Sequence, residues 1–582
     1  MLMPTRKWFT ALLLCCGLFK SPHAAQGQIN ILSSRYDSAR TGANLQETAL
    51  NTLNVNVNQF GRLYSYPVDG GVYAQPLYVS GLAIAGAVRN VLFVVTMNDK
   101  VYGFDADRSA TPLWTRDFTD AANGITPIPI VDLVGSNTLN IVGNVGIEST
   151  PVIDLPSKTM YLVARTKENG SYLQRLHALD LATGADKPGS PVTIAGTVPG
   201  TASDSINAVV SFNPKMQNQR AGLVLSNGVV VISWGSHEDD GPYHGWVMAY
   251  NATTLRQVGV FCSSPNGSQS GIWQSGRAPV VDAAGNVYFQ TGNGDWDGQA
   301  EFGDSILKFG VSTQGLTLLD WFTPDNQSAL NTGDLDLGSS GVMMIPGTDL
   351  IIGGGKQSLL YVLHGTNLGH EVAGNTQIVQ TLPLNGGHLK GGAAYWSSPA
   401  GPLVYTWTQA SVLKAFHFDG TSLDPAAFAS GSVVSPGSPG GALTVSANGS
   451  TTKTGVVWAE LSTSQSGNHG AVAGIMRAFN AETLQELWNS ELLPNRDRLG
   501  TLGKFVPPVV VNGKVYAVTY DNAIAVYGPL PGTPIVQDFS LAGGTSATSV
   551  VVGSAVNYPL SVNALNGFSG SVTLSVAGLP NG

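Results

Sequence analysis

A weak repeat of about sixty residues constrains this chain most, because a unit that short cannot bury an apolar face alone and must stack on its neighbours. Each unit reads as an apolar alternating strand, a turn, a second strand ending in a polar turn, and a closing strand. The ends of the third strands mark eight units. They fall at Phe104-Asp105-Ala106, Ala178-Leu179-Asp180-Leu181-Ala182-Thr183-Gly184, Ala249-Tyr250-Asn251-Ala252-Thr253 and Lys308-Phe309-Gly310. Val362-Leu363-His364-Gly365, Phe416-His417-Phe418-Asp419-Gly420, Ala478-Phe479-Asn480-Ala481-Glu482-Thr483 and Val526-Tyr527-Gly528 complete the set. In such turns an Asp or Asn side chain accepts from backbone amides, and Thr or Gly finishes the reversal. Trp114 and Trp488 fall in fourth strands, where an indole can wedge between neighbouring units.

Composition agrees with many short strands. Gly reaches 71 of 582 residues and turn dipeptides such as Asn227-Gly228 and Asn512-Gly513 recur. Charged residues make up 12%, the net charge is −9, and no basic block appears, which argues against a nucleic-acid partner. The last unit, Phe505 to Tyr527, supplies three strands and stops at Gly528-Pro529. Gly61 to Tyr66 is a strand with no unit of its own and would supply the missing fourth. The expected fold is therefore all-β, an eight-bladed β-propeller over residues 28–530 closed by an N-terminal strand, which leaves no exposed sheet edge.

Residues 1–27 read as a signal peptide: Arg6 and Lys7, an apolar run from Trp8 to Phe19, then Ala24, Ala25 and Gly27. That run is too short to span a bilayer, which needs ~20 residues, and no later segment reads as a membrane span. The expected location is secreted, periplasmic or cell-surface. Cys15 and Cys16 leave with the leader, so Cys262 stands alone and no intrachain disulfide forms. No C-x-x-C-H occurs, so no c-type haem is attached. Residues 531–537 read as a linker. Residues 538–582, with strand-like runs at Thr548–Val552, Tyr558–Val562 and Ser571–Val576, read as the start of an immunoglobulin-like β-sandwich, truncated because such a domain needs ~100 residues.

The propeller segments resemble the quinoprotein alcohol dehydrogenase-like (PQQ-repeat) family. The A-x-D-x-x-T-G turn at Ala178–Gly184, the blade tryptophans, and the opening Tyr36-Asp37-Ser38-Ala39-Arg40-Thr41-Gly42 followed by Asn54-Val55 carry the likeness over roughly residues 30–530. The resemblance implies the eight-bladed fold. As an activity it implies oxidation of alcohols or sugars with PQQ and Ca²⁺, the electrons leaving to a separate carrier. The same repeats also occur in non-enzymatic assembly proteins. This chain departs from the family pattern in lacking adjacent cysteines beneath the cofactor, and in having no recognisable motif for the catalytic Asp and paired Ca²⁺ ligands.

The loops entering the innermost strands converge on the central channel and give a polar set: Gln75, Glu148, Gln219 with Arg220, Trp273 with Gln274, Ser339 with Ser340, His388 with Lys390, and Lys504. Such a set either binds a ligand or hydrogen-bonds to itself and closes the ring. PQQ is a planar tricarboxylate that needs cations and an aromatic platform. Arg220, Lys390 and Lys504 would supply charge, Trp273 or Trp234 would stack, and Gln274 and His388 would complete the cofactor set. Glu148 would hold Ca²⁺.

Two further loops concentrate ligating groups. Ser236 to His244 carries two His and three carboxylates, read either as a transition-metal cluster or as a solvated acidic loop capped by His. Asn293 to Glu301, with Asp304, offers Asp295, Asp297 and Glu301 as Ca²⁺ ligands, or is an Asx-rich hairpin; it does not match the EF-hand pattern. Neither a nucleophile elbow nor a helical H-E-x-x-H is present. Two alternative functions stay open beside the dehydrogenase: a non-catalytic extracellular propeller that binds a glycan or protein at its channel, and a metal-dependent hydrolase or lactonase.

Overall fold

The computed structural model describes residues 29–108, 111–135, 140–532, 538–543, 559–565, 568 and 570–574. The signal-peptide reading, most of the 531–537 linker and the run Thr548–Val552 lie outside the described residues.

Eight sheets, each built on four antiparallel strands, follow one another along the chain as the blades of a propeller. Blade 1 consists of Leu77–Ile84, Ala87–Val95, Lys100–Asp105 and Trp114–Asp117. The landmarks all fall on third strands, as the repeat requires, although Lys308-Phe309-Gly310 lies inside a strand that runs on to Ser312. Blade 8 takes Val509–Val511, Lys514–Val518 and Ala523–Pro529 from the end of the propeller and Phe60–Pro67 from its beginning. Gly61 sits opposite Gly528 and Tyr66 opposite Ile524, so the ring is closed by the expected N-terminal strand.

The A-x-D-x-x-T-G turn shows why its residues recur. Asp180 Oδ1 accepts from the backbone N–H of Ala182 at 3.0 Å and of Thr183 at 3.1 Å. Gly184 then takes φ +69°, and a Cβ there would lie 2.5 Å from the Trp114 ring. Trp114 comes from blade 1 and donates through Nε1 to Leu181 O at 3.0 Å, so turn and indole form one inter-blade joint. Trp488 is fully buried against Phe60, with ring centroids 5.0 Å apart, and against Tyr527 at 5.4 Å. Truncating an indole packed this way costs about 3–5 kcal/mol.

The segment Ile31–Asn44 runs along the free edges of the innermost strands. Its backbone carbonyls accept from Tyr78 (Ile31, 3.0 Å), Ile153 (Leu32, 2.8 Å), Val281 (Ser38, 2.9 Å), Met344 (Ala39, 2.9 Å), Tyr395 (Thr41, 2.9 Å) and Val445 (Gly42, 2.8 Å). Tyr36 Oη accepts from Val510 N–H at 2.7 Å. Those partners lie in the inner strands of blades 1, 2, 4, 5, 6, 7 and 8; in blade 3, Gly222 packs against Ser34. Arg35 and Arg40 adopt φ +62° and +61° within this strap. Their guanidiniums are buried and bond to main-chain carbonyls: Arg35 Nη1 to Leu443 O at 2.7 Å, Arg40 Nε to Pro279 O at 2.8 Å. Arg277 joins them through Nη2 to Ala393 O at 2.6 Å. The motif read as a family lead-in thus fills the centre of the ring.

In the tail, Asp538–Gly543 pairs antiparallel with Leu560–Leu565, and Phe539 packs on Phe568 at 5.2 Å. The second strand overlaps the expected Tyr558–Val562 run, whereas residues 571–574 form no strand. Among the described residues no helix is long and apolar enough to cross a membrane.

Candidate functional site

A cavity of about 520 Å³ opens where the loops entering the inner strands converge. In an antiparallel blade the second strand returns to the face where the first began, so the turns between second and third strands reach the same mouth. Arg220, Trp273, His388 and Lys390, all from the sequence-derived set, line this cavity. The second-to-third-strand turns add His237, Glu238, Asp239 and Lys356. Phe505 lies at the base.

Arg220 places its guanidinium 4.3 Å from the Phe505 ring centroid, and its Nε is 3.6 Å from Glu148 Oε1. Glu148 is buried beneath it, and neither carboxylate oxygen has a hydrogen-bond partner of good geometry. Burial pushes its carboxyl above the usual range, against the pull of Arg220 and Arg165. Arg165 is buried beside it, held down to about 10 by burial, with Nη1 3.2 Å from Asn218 Oδ1 and 2.9 Å from His237 Nε2. Burial, Arg165 and Arg220 hold His237 well below the ordinary histidine range. His237 is therefore neutral, accepts at Nε2 from Arg165 and carries its proton on Nδ1.

The two lysines of the set are also shifted. Lys390 falls to about 8 through burial and the neighbouring Lys356 and Arg220; its Nζ donates to Asn468 Oδ1 at 3.1 Å and Ser438 Oγ at 3.3 Å. Lys504 falls to about 7 through burial and Arg220, and donates to Asn140 O at 2.7 Å. Lys356, by contrast, is gripped by Asp334 and Asp336, each at 2.6 Å, which lift it above the usual lysine range against its burial. Asp239 accepts from Tyr243 Oη at 2.9 Å, and burial followed by repulsion from Asp336 raises its carboxyl. Glu238 and Asp239 hold φ +52° and +58°, consecutive left-handed residues that carry stored strain.

Trp273 donates through Nε1 to Ser236 O at 2.9 Å, and a Cβ on Gly235 would come within 2.6 Å of its ring. Ser339 of the same set also lines the cavity, donating to Leu389 O at 3.0 Å, whereas other sequence-derived residues lie elsewhere. Gln274 is buried below the cavity, accepting from Gln290 N–H at 2.8 Å and donating to Arg277 O at 3.0 Å. Trp234 is fully buried, bonded to Gln174 at 2.8 Å and packed on Phe212, far from any stacking role at the mouth. Gln75 accepts from the strap at Arg35 N–H, 2.9 Å, and Ser340 donates to Gly354 O at 2.5 Å.

The loop Ser236–His244 is tied down at several points, with Asp239, Gly241 and Pro242 exposed at its tip. His237 faces Arg165, while His244 turns away to Ser264 at 2.9 Å and Asp204 at 3.1 Å. Glu238 accepts from Asn140 Nδ2 at 2.6 Å and Asp240 from Gly135 N–H at 2.8 Å, tying the excursion between blades 1 and 2 across the mouth. In the second loop the carboxylates accept from backbone amides: Asp295 from Ser268, Glu301 from Asn266 and Gly267, and Asp297 from Gln299, Ala300 and Glu301. The structure does not bring these three to Glu148. Among the described residues no group of three His, Cys, Asp or Glu side chains is arranged to hold a metal ion.

Comparison with known proteins gives a fold and no closer kinship. No family model matches the chain, and no curated protein matches it. The quinohemoprotein alcohol dehydrogenase ADHIIG from Pseudomonas putida HK5 superposes with a TM-score of 0.50 at 14% identity, over 87% of this chain and 81% of that one. The quinohemoprotein alcohol dehydrogenase from Comamonas testosteroni gives 0.49 at 15% identity, over 86% and 80%. BamB from Moraxella catarrhalis gives 0.45 at 12%, over 81% and 99%. The chain is an eight-bladed propeller that shares the fold of the quinoprotein alcohol dehydrogenases.

Proposed function

We propose that the protein is exported and binds a planar polycarboxylate at its channel mouth, with PQQ as the ligand and dehydrogenation of an alcohol or sugar as the reaction. One observation carries this reading: Arg220 and Lys390 line the mouth with Lys504 buried behind them, and their direct partners are Glu148, 3.6 Å from Arg220, and neutral oxygens at the two lysines. Cations crowded in a partly dehydrated space repel each other, and an incoming anion relieves that cost. A cavity of about 520 Å³ is of the size that holds a compact cofactor.

The donor set fits the quinone. Arg220 and Lys390 would take its carboxylates, Arg220 as a fork and Lys390 as a point charge, and Trp273 would border its plane. Bound there, PQQ supplies a two-electron acceptor. Asp239, whose carboxyl burial makes more basic, would take the proton of the substrate hydroxyl while Tyr243 fixes its orientation. Electrons would leave to a separate carrier. Ca²⁺ fits less well: it wants six to eight oxygens, roughly, with several carboxylates, whereas Glu148 faces Arg220 and Arg165.

That mismatch favours a second reading, a non-catalytic exported propeller holding an anionic glycan or an acidic protein segment at the same mouth. Calorimetric titration of the mature protein with PQQ, followed by a dye-reduction screen over alcohols and sugars, separates the two. Saturable binding near one per chain with substrate-dependent dye reduction supports the dehydrogenase. Binding of anionic glycans without dye reduction supports the binder, and no PQQ binding at high micromolar concentration overturns the first reading.

A further inference from the structure

Lys390 differs from the other amines around the mouth. Lys356 is locked between two carboxylates, and Lys504 is 1% exposed with its amine directed at Asn140 O. Lys390 lines the open cavity, and its two hydrogen bonds, at 3.1 and 3.3 Å, are to neutral oxygens. The charged and titratable groups that face it are Arg220, Lys356, Lys504 and His388, with Asp334 and Asp336 beyond Lys356 and His469 beyond Asn468. Neighbouring cations and burial are what turn a lysine into a nucleophile, because they favour the free amine. His388, two residues earlier on the same loop, lines the same cavity; burial and Lys390 hold its imidazole in the neutral, proton-accepting form.

We propose that Lys390 is an amine nucleophile that captures a small carbonyl compound bearing a carboxylate, a 2-oxo acid or an aldehyde acid, as an imine, with Arg220 holding the carboxylate. The Nζ lone pair adds to the carbonyl carbon, forming a C–N bond as the C=O pair moves onto oxygen, which takes a proton. His388 passes one ammonium proton to that oxygen, giving the neutral carbinolamine, and then takes the remaining N–H proton and delivers it to the departing hydroxyl. One water leaves, the imine remains, and no oxidant or reductant is needed. At neutral pH an amine with a pKa of about 8 is free in a useful fraction, whereas an exposed lysine is almost wholly protonated. The inference does not depend on the quinone reading, since it uses only side chains of this chain and requires no redox group.

Glyoxylate with cyanoborohydride is the probe, applied to the mature protein, and labelled lysines are located by peptide mass spectrometry. Lys390 should become carboxymethylated at least about tenfold faster than exposed Lys158 at pH 7. The rate should rise with a midpoint near pH 8. Lys390→Arg should remove that label and leave labelling of Lys158 unchanged. Acetaldehyde, which lacks the carboxylate, should label Lys390 at least about tenfold more slowly than glyoxylate. The proposal is overturned if wild-type Lys390 labels no faster than Lys158, if its midpoint stays above about pH 10, or if acetaldehyde labels it as fast as glyoxylate.

Discussion

Two sets of buried cations meet at Phe505, and they are treated in opposite ways. Phe505 borders both the large mouth cavity and a space of about 10 Å³ beside Arg35 and Arg277. On the strap side, Arg35, Arg40 and Arg277 direct their guanidiniums at carbonyls of the strap and of residues flanking the inner strands, so Arg35 and Arg277 join separate blades and Arg40 ties the strap to blade 4. On the mouth side, Arg220 sees one carboxylate at 3.6 Å, and Lys390 and Lys504 have neutral acceptors only. The lesson is that burial of a cation does not define its role. The acceptors around it do: carbonyls from many strands make a rivet, and a shortage of acceptors makes a receptor.

The contrast breaks most visibly at Arg35. Arg35→Ala removes carbonyl partners from two blades and should cost about 3 kcal/mol or more, read as a lower urea midpoint. Arg220→Gln should cost less than about 1.5 kcal/mol in the same titration yet weaken PQQ binding tenfold or more, read by calorimetry. If both substitutions unfold the ring equally, the mouth cations are structural and the contrast fails.

Proton linkage sharpens it further. The folded values of Lys504, about 7, and Lys390, about 8, lie below the ordinary 10.5, so between them the unfolded chain holds protons that the folded chain has released. The contribution of these two lysines to stability without ligand should therefore rise as pH increases from about 7 toward 10.5, and substituting both should remove that rise. A bound anion restores the lysine protons, so its affinity should fall over the same range by up to about tenfold per pH unit for each proton taken up. Calorimetry in buffers of different ionisation enthalpy counts those protons. The smallest expected effect is that of EDTA, which should leave the urea midpoint and PQQ affinity unchanged; a loss of either would show Glu148 facing a divalent ion instead of Arg220.

Much of the ring was legible because its signals are local. Asp180, Asn251 and Asn480 each close a turn on amides two and three residues ahead, a short-range pattern that a sequence displays directly. The closing strand was found by counting strands. The site was legible only in part, since Arg220, Trp273, His388 and Lys390 precede inner strands, where the repeat predicts convergence. Asp239 was legible only as part of a candidate metal loop and Lys356 not at all, because antiparallel pairing, which no local signal displays, brings the second-to-third-strand turns to the same face. Gln274 and Trp234 misled because the direction of a side chain next to a blade depends on strand pairing and on left-handed residues such as Gln274 itself, at φ +49°. The role of Tyr36-Asp37-Ser38-Ala39-Arg40-Thr41-Gly42 was hidden for another reason: its partners lie up to about 470 residues away.

The strap has a consequence for how the molecule comes into being. A polypeptide that emerges N-terminus first delivers Ile31–Asn44 and Phe60–Pro67 before any strand they will bond exists. Val510, the farthest partner of the strap, and Ala523–Pro529, the partner of the closing strand, arrive last. Early blades can form hairpins by themselves, but their inner edges stay uncapped while the leading segment waits. Closing so long a loop is slow more than it is costly, because its entropy grows only logarithmically with length. The window of vulnerability is therefore the whole interval of synthesis, and it is in that interval that a holding chaperone or a protease would decide how much ring is made.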